Sequence, residues 1–171
     1  MEHPEIPSEI SVKKLGPDDW QILRDLKIQS ISEESLAFED QAEGSEKYRN
    51  RSEEEWRKNL ESKNKIFVFA RHRNEYVGMA SAVLSEGKAL IQHVYVAKDK
   101  RGLKIGESLL VNLIEILRSS DIKTAELQVL LTQSSAINLY KKLGFQEIKT
   151  NLQAAQRGLE MYDEVEMKLD L

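Results

Sequence analysis

The 171-residue chain contains no cysteine. This absence excludes a disulfide framework, a catalytic thiolate and a thiolate metal site, and it fits a reducing compartment such as the cytoplasm. Histidine is also scarce, because the three histidines are scattered along the chain without an HExxH pattern or any other ligand cluster. We therefore expect no metal site.

Long hydrophobic runs and a surplus of basic residues are absent as well. No apolar run approaches the ~20 residues that a membrane-spanning helix needs, and the first residues show no basic region followed by an apolar core. A net charge of −4 argues against a protein that holds nucleic acid by phosphate contacts. We expect a soluble cytoplasmic protein with no membrane or nucleic-acid partner, folded as a single domain over residues 1–171 with residues 1–9 frayed.

The hydrophobic periodicity predicts a mixed α/β chain. A period of two or a short apolar run predicts strands, and a stripe at spacings of three and four predicts helices. The predicted strands are Ile10–Leu15, Ile66–Arg71, Tyr76–Leu84, a strand from Ala89, Thr124–Leu131, Phe145–Lys149 and Val165–Leu169. The predicted helices run from Pro17 or Asp18 to about Ser35, from a capping Ser52 with Glu55 three residues later, from Ile105, and over Ser134–Leu143 with Gly144 as the C-cap.

Residues 89–110 combine an apolar strand, a short basic turn and an amphipathic helix. The turn must present unpaired backbone N–H groups at the first turn of the helix, where the helix dipole is positive. Gly102 and Gly106 have no Cβ that would keep a phosphate away. Positive charge is added by four cations: Lys98, Lys100, Arg101 and Lys104. This pattern favours a pyrophosphate site.

The same stretch resembles the acyl-CoA signature of the GNAT superfamily of N-acetyltransferases, which is Arg or Gln, two residues, Gly, one residue, then Gly or Ala. Arg101 and Gly106 fill the first and last positions, and Lys104 occupies the central glycine position. A second block, residues 127–145, is similar to the family's second motif. It matches at Ala136, Leu139, Tyr140, Gly144 and Phe145, and it has Gln133 where Asn is usual.

The resemblance covers nearly the whole chain and implies a mostly antiparallel seven-stranded sheet flanked by about four helices. It implies an acetyl-CoA-dependent N-acetyltransferase that acetylates a small-molecule or peptide amine by direct attack in a ternary complex, and such folds often form homodimers. It assigns the oxyanion donor to a backbone N–H near Val94–Val96 and the proton donor for the leaving thiolate to Tyr140. The implied cofactor-binding residues are Val94, Tyr95, Val96, Arg101, Gly102, Leu103, Lys104, Ile105, Gly106, Glu107, Gln133 and Tyr140.

The general base is left open by the sequence. In the family the base is often a Glu on the strand before the signature, but Gln92 cannot accept a proton usefully. His93 is the candidate on this strand. Side-chain alternation places His93 and Gln92 on opposite faces of the strand unless a bulge intervenes. Glu39 and Asp40 are alternative acids, whereas we expect His72 to lie on the surface.

The acceptor amine is also open. Residues 33–63, expected beside the acceptor site, carry ten acidic and six basic side chains, which favours a cationic amine. Replacement of usual family residues at Lys104, Gln133 and Gln92 keeps an alternative open, namely a non-catalytic CoA-binding or regulatory module of the same fold.

Overall fold

The computed structural model describes residues 9–34, 44–157 and 159–171. The strands are β1 (Ile10–Lys13), β2 (Lys65–His72), β3 (Glu75–Ser85), β4 (Lys88–Val96), β5 (Thr124–Leu130), β6 (Gln146–Arg157) and β7 (Glu160–Asp170). The α-helices are α1 (Trp20–Glu33), α2 (Gly44–Arg49), α3 (Glu53–Glu61), α4 (Ile105–Arg118) and α5 (Ser134–Lys142). Short 3₁₀ helices occupy Pro17–Asp19 and Lys98–Lys100. Within these described ranges no helix is long and apolar enough to cross a membrane, and no cluster of candidate ligands could hold a metal ion.

The seven strands form one sheet in the order β1-β2-β3-β4-β5-β7-β6. Every neighbouring pair is antiparallel except β4 and β5, which are parallel. Helix α4 connects these two strands, as a parallel crossover requires. The predicted mixed α/β fold with a mostly antiparallel seven-stranded sheet is confirmed.

The predicted apolar stripe of α4 packs on the sheet. All six stripe residues are buried: Ile105, Leu109, Leu110, Leu113, Ile114 and Leu117. Helix α4 packs against β1 to β4, while α1 packs against β3, β4 and the helices α2 and α3. Gly78 on β3 allows this packing, because a Cβ there would lie 3.1 Å from Leu109 Cδ1 and only 2.7 Å from the carbonyl oxygen of Tyr95. Such contacts fix the distance between α4 and the strands that precede it.

The local signals for the helix ends are confirmed. Ser52 Oγ accepts a hydrogen bond from Glu55 N at 3.3 Å, and Glu55 Oε2 accepts one from Ser52 N at 2.7 Å, which is the predicted capping box. Gly144 follows α5 with φ of +99°, and the N–H of Phe145 donates to the carbonyl oxygen of Tyr140 at 3.0 Å. The backbone therefore turns out of α5 as a glycine C-cap predicts.

Three sequence predictions need correction. The last two strands are far longer than Phe145–Lys149 and Val165–Leu169, since most of residues 153–164 pair as a hairpin of β6 with β7 rather than forming a loose connection. Polar residues dominate this hairpin because β6 is an edge strand that is mostly exposed, so it lacks the apolar alternation that marks a buried strand. Helix α2 was not predicted, and β1 ends at Lys13 rather than Leu15.

The region around residue 9 also differs from expectation. Glu9 belongs to the predicted frayed segment, yet its carbonyl oxygen accepts a hydrogen bond from Arg73 N at 2.9 Å and its Oε2 lies 3.0 Å from Arg73 Nε. His72 Nε2 lies 3.3 Å from the same carboxylate, and the His72 side chain is only 13% exposed. His72 is thus largely covered rather than a plain surface residue. Residues 1–8 lie outside the described part of the chain.

Candidate active site

The central feature of the site is a gap between β4 and β5. The two strands pair only from Lys88 to Leu90 on β4, opposite Thr124 to Glu126 on β5, and no pairing continues beyond these residues. A cavity of about 1220 Å³ is lined by β4 from Leu90 to Val96 and by β5 from Leu127 to Leu130. The sheet therefore opens on the side where α4 begins.

The open edge of β4 presents backbone donors to the gap. Ala97 N donates to the carbonyl oxygen of Val77 on β3 at 2.7 Å, so the Ala97 N–H points away from the gap. Backbone alternation then turns the N–H groups of Val96 and Val94 toward the gap. Arg101 Nε donates to the carbonyl oxygen of Val96 at 3.3 Å from that same side.

A β-bulge at His93 shapes this edge. Met79 on β3 pairs with Tyr95 and Ser81 pairs with Gln92, so one residue of β3 faces two residues of β4. His93 has φ of +53°, in the left-handed region. The sequence left open whether a bulge would interrupt the alternation, and the structure shows that it does. The bulge places the half-buried His93 on the cavity wall, with its Nδ1 2.9 Å from Ser81 Oγ.

The N-terminus of α4 forms the other end of the cavity. Gly102 has φ of +82° and a Cβ there would meet no atom within 4 Å, so the loop surface at this point is open. Lys104 is the N-cap of α4 with φ of +60° and ψ of 23°. The left-handed backbone that a glycine would adopt at the central signature position is therefore kept by a lysine. The first N–H groups of α4 and the Lys104 ammonium suit an anionic ligand such as pyrophosphate.

Carboxylates at the end of α1 hold the turn before α4 in place. Glu33 Oε2 accepts hydrogen bonds from Tyr95 Oη at 2.7 Å and from Lys98 N at 3.0 Å. Burial alone would raise the pKa of Glu33, but these two bonds and one from the Gln29 side chain outweigh it and lower the pKa. Glu34 Oε1 lies 2.7 Å from an Arg101 guanidinium nitrogen. Arg101 thus orders the turn through Glu34 and the Val96 carbonyl.

Tyr140 lies on α5 across the gap from β4 and lines the cavity. Its ring is 7% exposed and packs edge-on against Phe145, with 5.9 Å between ring centroids. Among the described residues its hydroxyl has no hydrogen-bond partner. Burial raises the pKa of Tyr140 to about 12, so the phenol is protonated at neutral pH. An unpaired hydroxyl on a cavity wall suits a ligand atom that accepts a hydrogen bond.

Most of the residues predicted from the sequence to bind the cofactor meet at this cavity. Those that line it are Val94, Tyr95, Val96, Arg101, Gly102, Lys104, Ile105, Gly106, Glu107, Gln133 and Tyr140. Leu103 does not line it, because its side chain points outward and is 45% exposed. Glu107 is paired with Lys142, with 2.8 Å between Oε2 and Nζ, which lowers the pKa of Glu107. Glu39 and Asp40 lie outside the described residues.

His93 sits among cations that the sequence reasoning missed. Lys27, Arg51 and Lys65 line the same cavity. Burial, followed by the charges of Lys27, Lys65 and Arg51, lowers the pKa of His93 to about 3. His93 is therefore neutral at pH 7 and, without a ligand, a weak base. A signal for Lys27 was present, since it lies four residues from both Leu23 and Ile31 on the buried face of α1.

Glu164 is a second acid–base group that the sequence reasoning missed. It lines the cavity from β7, where it pairs with Leu130. Among the residues that the structure describes, eight lysines and arginines and four glutamates line the cavity. The expected attraction for a cationic acceptor therefore does not follow from the described walls, which carry more positive than negative side chains.

An open gap in a mixed sheet beside a helix N-terminus defines the acyl-CoA N-acyltransferase class of fold. The family model for the acetyltransferase (GNAT) family matches residues 28–145. The chain therefore belongs to the GNAT family of acetyltransferases, and the fold and family expected from the sequence are confirmed.

Similar proteins include a probable N-acetyltransferase camello of Xenopus tropicalis, 30% identical over 94 residues, which cover 53% of this chain and 43% of that protein. The chain thus spans less than half the length of this curated relative. A GNAT-family acetyltransferase from Streptococcus pneumoniae has a TM-score of 0.80 at 19% identity and covers 95% of this chain and 99% of its own. The Salmonella typhimurium acetyltransferase yncA, solved with its cofactor acetyl-CoA, has a TM-score of 0.79 at 16% identity, with 94% and 93% covered. At these identities the solved structures show the fold alone.

Proposed function

We propose that this chain is an acetyl-CoA-dependent N-acetyltransferase that acetylates a primary amine by direct attack in a ternary complex. The observation that carries the proposal is the gap between β4 and β5, which joins three features in one cavity. These features are the N-terminus of α4, the backbone donors of Val94 and Val96, and the Tyr140 hydroxyl. The yncA structure with acetyl-CoA supports the same assignment by fold.

The cavity fits acetyl-CoA at both ends. The open surface at Gly102 and the N–H groups of the first turn of α4 would hold the pyrophosphate, with Lys104 adding a positive charge. The open edge of β4 would pair with the amides of the pantetheine arm, as another strand would. When bound, acetyl-CoA supplies a thioester whose acetyl group can pass to an amine nitrogen while CoA leaves as a thiolate.

The chain's own groups then act on the charges that the transfer creates. The N–H groups of Val94 and Val96 would donate to the thioester oxygen as it becomes more negative, which lowers the barrier to attack by the amine. Tyr140 would donate its proton toward the leaving sulfur. An alkyl thiol such as that of Cys has a reference pKa of ~8.5, so full transfer of the proton from a phenol with a pKa of about 12 is uphill, and a directed hydrogen bond supplies the stabilisation.

The amine must lose a proton as the C–N bond forms. We assign this proton to His93, directly or through water, because the bulge places its ring on the cavity wall next to Val94. Ser81 Oγ donates its proton to the carbonyl oxygen of Gln92 at 3.2 Å, so it accepts from the Nδ1–H of His93 at 2.9 Å. This contact fixes the ring orientation and leaves Nε2 as the atom that can accept. Glu164 is the alternative acceptor in the same cavity.

A thiol-release screen tests the proposal. The protein is mixed with acetyl-CoA and a panel of primary amines, and acetylated products are identified by mass spectrometry. We expect at least one amine to be acetylated, and CoA to stabilise the fold by about 2.7 kcal/mol at a hundredfold excess over its Kd. Gly102→Glu, which places a carboxylate where the pyrophosphate would lie, should abolish both effects.

The outcomes separate the two functions that the sequence left open. Stabilisation by CoA without turnover of any amine would favour the non-catalytic CoA-binding module. No thermal shift at millimolar CoA would contradict both functions.

A further inference from the structure

Three cations from three different elements share the cavity with His93 and act on it through their charges. They are Lys27 on α1, Arg51 just before α3 and Lys65 at the start of β2, and all three line the cavity. We call this set, together with His93, the basic end of the cavity. It is separate in sequence from the cations at the N-terminus of α4, so the proposed pyrophosphate site does not account for it.

Aromatic rings hold two of these cations close together. Lys27 Nζ lies 4.8 Å from the ring centroid of Tyr48, and Arg51 Cζ lies 4.9 Å from the same centroid. The two charges are therefore separated by no more than the sum of these distances. Arg51 Cζ also lies 5.1 Å from the ring of Trp56. Both rings are buried, at 6% and 2% exposure, so the guanidinium is positioned by packing rather than left as a loose surface charge.

Two of the three cations at the basic end, Lys65 and Arg51, have donors available to a ligand. Lys65 Nζ donates to Asn59 Oδ1 at 2.8 Å, which orients it, yet within the described part of the chain neither Lys65 nor Arg51 forms an ion pair with a carboxylate. The indole N–H of Trp56, which also lines the cavity, is buried without a hydrogen-bond partner among the described residues. The charges of Arg51 and Lys65 converge on the same partly enclosed cavity and repel each other, and a bound anion would offset this repulsion.

We infer that the acceptor is a primary amine that also carries a carboxylate, and that Arg51, Lys65 and Lys27 hold this carboxylate beside His93. The inference rests on the proposed acetyl transfer, and it replaces the cationic amine that the acidic composition of residues 33–63 favoured. A planar guanidinium fixed against two rings matches the two oxygens of a carboxylate, so it selects geometry as well as charge. Free amino acids and amines on carboxylate-bearing peptides share this chemistry.

Binding of the carboxylate also bears on proton removal. After burial, the charges of the same three cations are what lower the pKa of His93. A carboxylate held between them would offset their effect and raise the basicity of His93 when the acceptor is in place. The amine would then meet a stronger base than the ligand-free cavity contains.

Binding of reaction products tests the inference without relying on turnover. N-acetylglycine, N-acetylleucine and N-acetylglutamate, and the carboxamide of each, are titrated by calorimetry into protein saturated with CoA. We expect at least one acid to bind about tenfold or more tightly than its amide. Lys65→Met and Arg51→Met should remove this preference. Lys58→Met should retain it, because Lys58 lines the same cavity but is exposed and paired with Glu54.

A retained thermal shift with CoA shows that each variant is folded, and Lys65→Met gives an answer even if Arg51→Met is unstable. In the activity arm, an amino acid, a short peptide that begins with it and the matching amine without a carboxylate are compared by kcat/KM. The amino acid and the peptide distinguish the two sources of the carboxylate. Equal binding of acid and amide, or equal kcat/KM with and without the carboxylate, would overturn the inference while leaving acetyl transfer intact. Selective binding of the acid with no turnover would retain the carboxylate site and reject the proposed transfer.

Discussion

Replacing Lys104 by glycine should stabilise the protein. Lys104 has φ of +60° and ψ of 23°, a left-handed conformation that costs a residue with a Cβ roughly 1–2 kcal/mol. Glycine removes this cost but loses about 0.5–1 kcal/mol more backbone entropy on folding than other residues do. The expected net gain is about 0.5–1 kcal/mol, which corresponds to a rise in Tm of about 1–4 °C for a chain of this length.

Differential scanning calorimetry without CoA measures the effect, and Lys104→Met is the matched control. Methionine removes the same charge but keeps the Cβ, so the difference between the two variants isolates the backbone. We expect the glycine variant to melt above the methionine variant. Equal Tm values for the two would refute the argument that the lysine is strained at this position.

The same pair of variants measures what Lys104 contributes to binding. Both lose an ammonium at the proposed pyrophosphate site, and an exposed ion pair is worth up to about 1 kcal/mol, so the Kd for CoA should rise by no more than about fivefold in each. The increase should shrink at high salt because exposed charges are screened. A much larger loss, unaffected by salt, would mean that Lys104 acts through something other than its exposed charge.

Three further predictions follow from the cavity and the core. Tyr140→Phe should lower kcat at least tenfold, and by a larger factor than it raises the KM for acetyl-CoA. Tyr76→Phe, which lies outside the cavity, should change neither constant. If kcat is unchanged under conditions where chemistry limits turnover, the Tyr140 phenol has only a packing role. His93→Gln should flatten the loss of Tm between about pH 6.5 and pH 4, because an unfolded histidine gains a proton below about 6.5. In the folded chain the pKa of His93 is lowered to about 3, so folded His93 stays neutral over this range. The free energy of unfolding therefore decreases as the pH is lowered while His93 is present. A wild-type acid profile in the variant would show that His93 is not the group responsible. Gly78→Ala should cost about 1–3 kcal/mol in urea unfolding, because the new Cβ would lie 2.7 Å from a carbonyl oxygen of β4. Gly16→Ala, with no atom within 4 Å, is its control, and equal losses in the two would contradict the packing argument.

The sequence predicted those helices and strands that bury one face, because burial of one face requires apolar residues at a regular spacing. The six apolar stripe residues of α4, from Ile105 to Leu117, have the spacing of one helix face, and all six are buried. The edge strand β6 is mostly exposed and carries little pattern, so its length could not be read from apolar alternation. The β-propensity of individual residues is a weak guide to the length of such a strand, because pairing with the neighbouring strand has a larger effect.

The site shows the same division. The turn at Arg101 to Gly106 could be recognised because glycines and a helix start lie next to each other in sequence. The basic end could not be recognised from the sequence, because its cations come from three elements that only the fold brings together: Lys27, Arg51 and Lys65. The bulge at His93 left no signal either, because it arises from the register of β3 against β4 rather than from a turn-forming residue.

Hydrogen–deuterium exchange with and without acetyl-CoA tests whether the gap between β4 and β5 is the acetyl-CoA site. At saturating ligand we expect slower exchange in peptides covering residues 94–107 and 132–140. Peptides from β1 and from residues 146–151 at the start of β6, which do not line the cavity, should be unaffected, and Gly102→Glu should show no protection. Protection confined to other parts of the chain, or none at concentrations that stabilise the fold, would contradict the account.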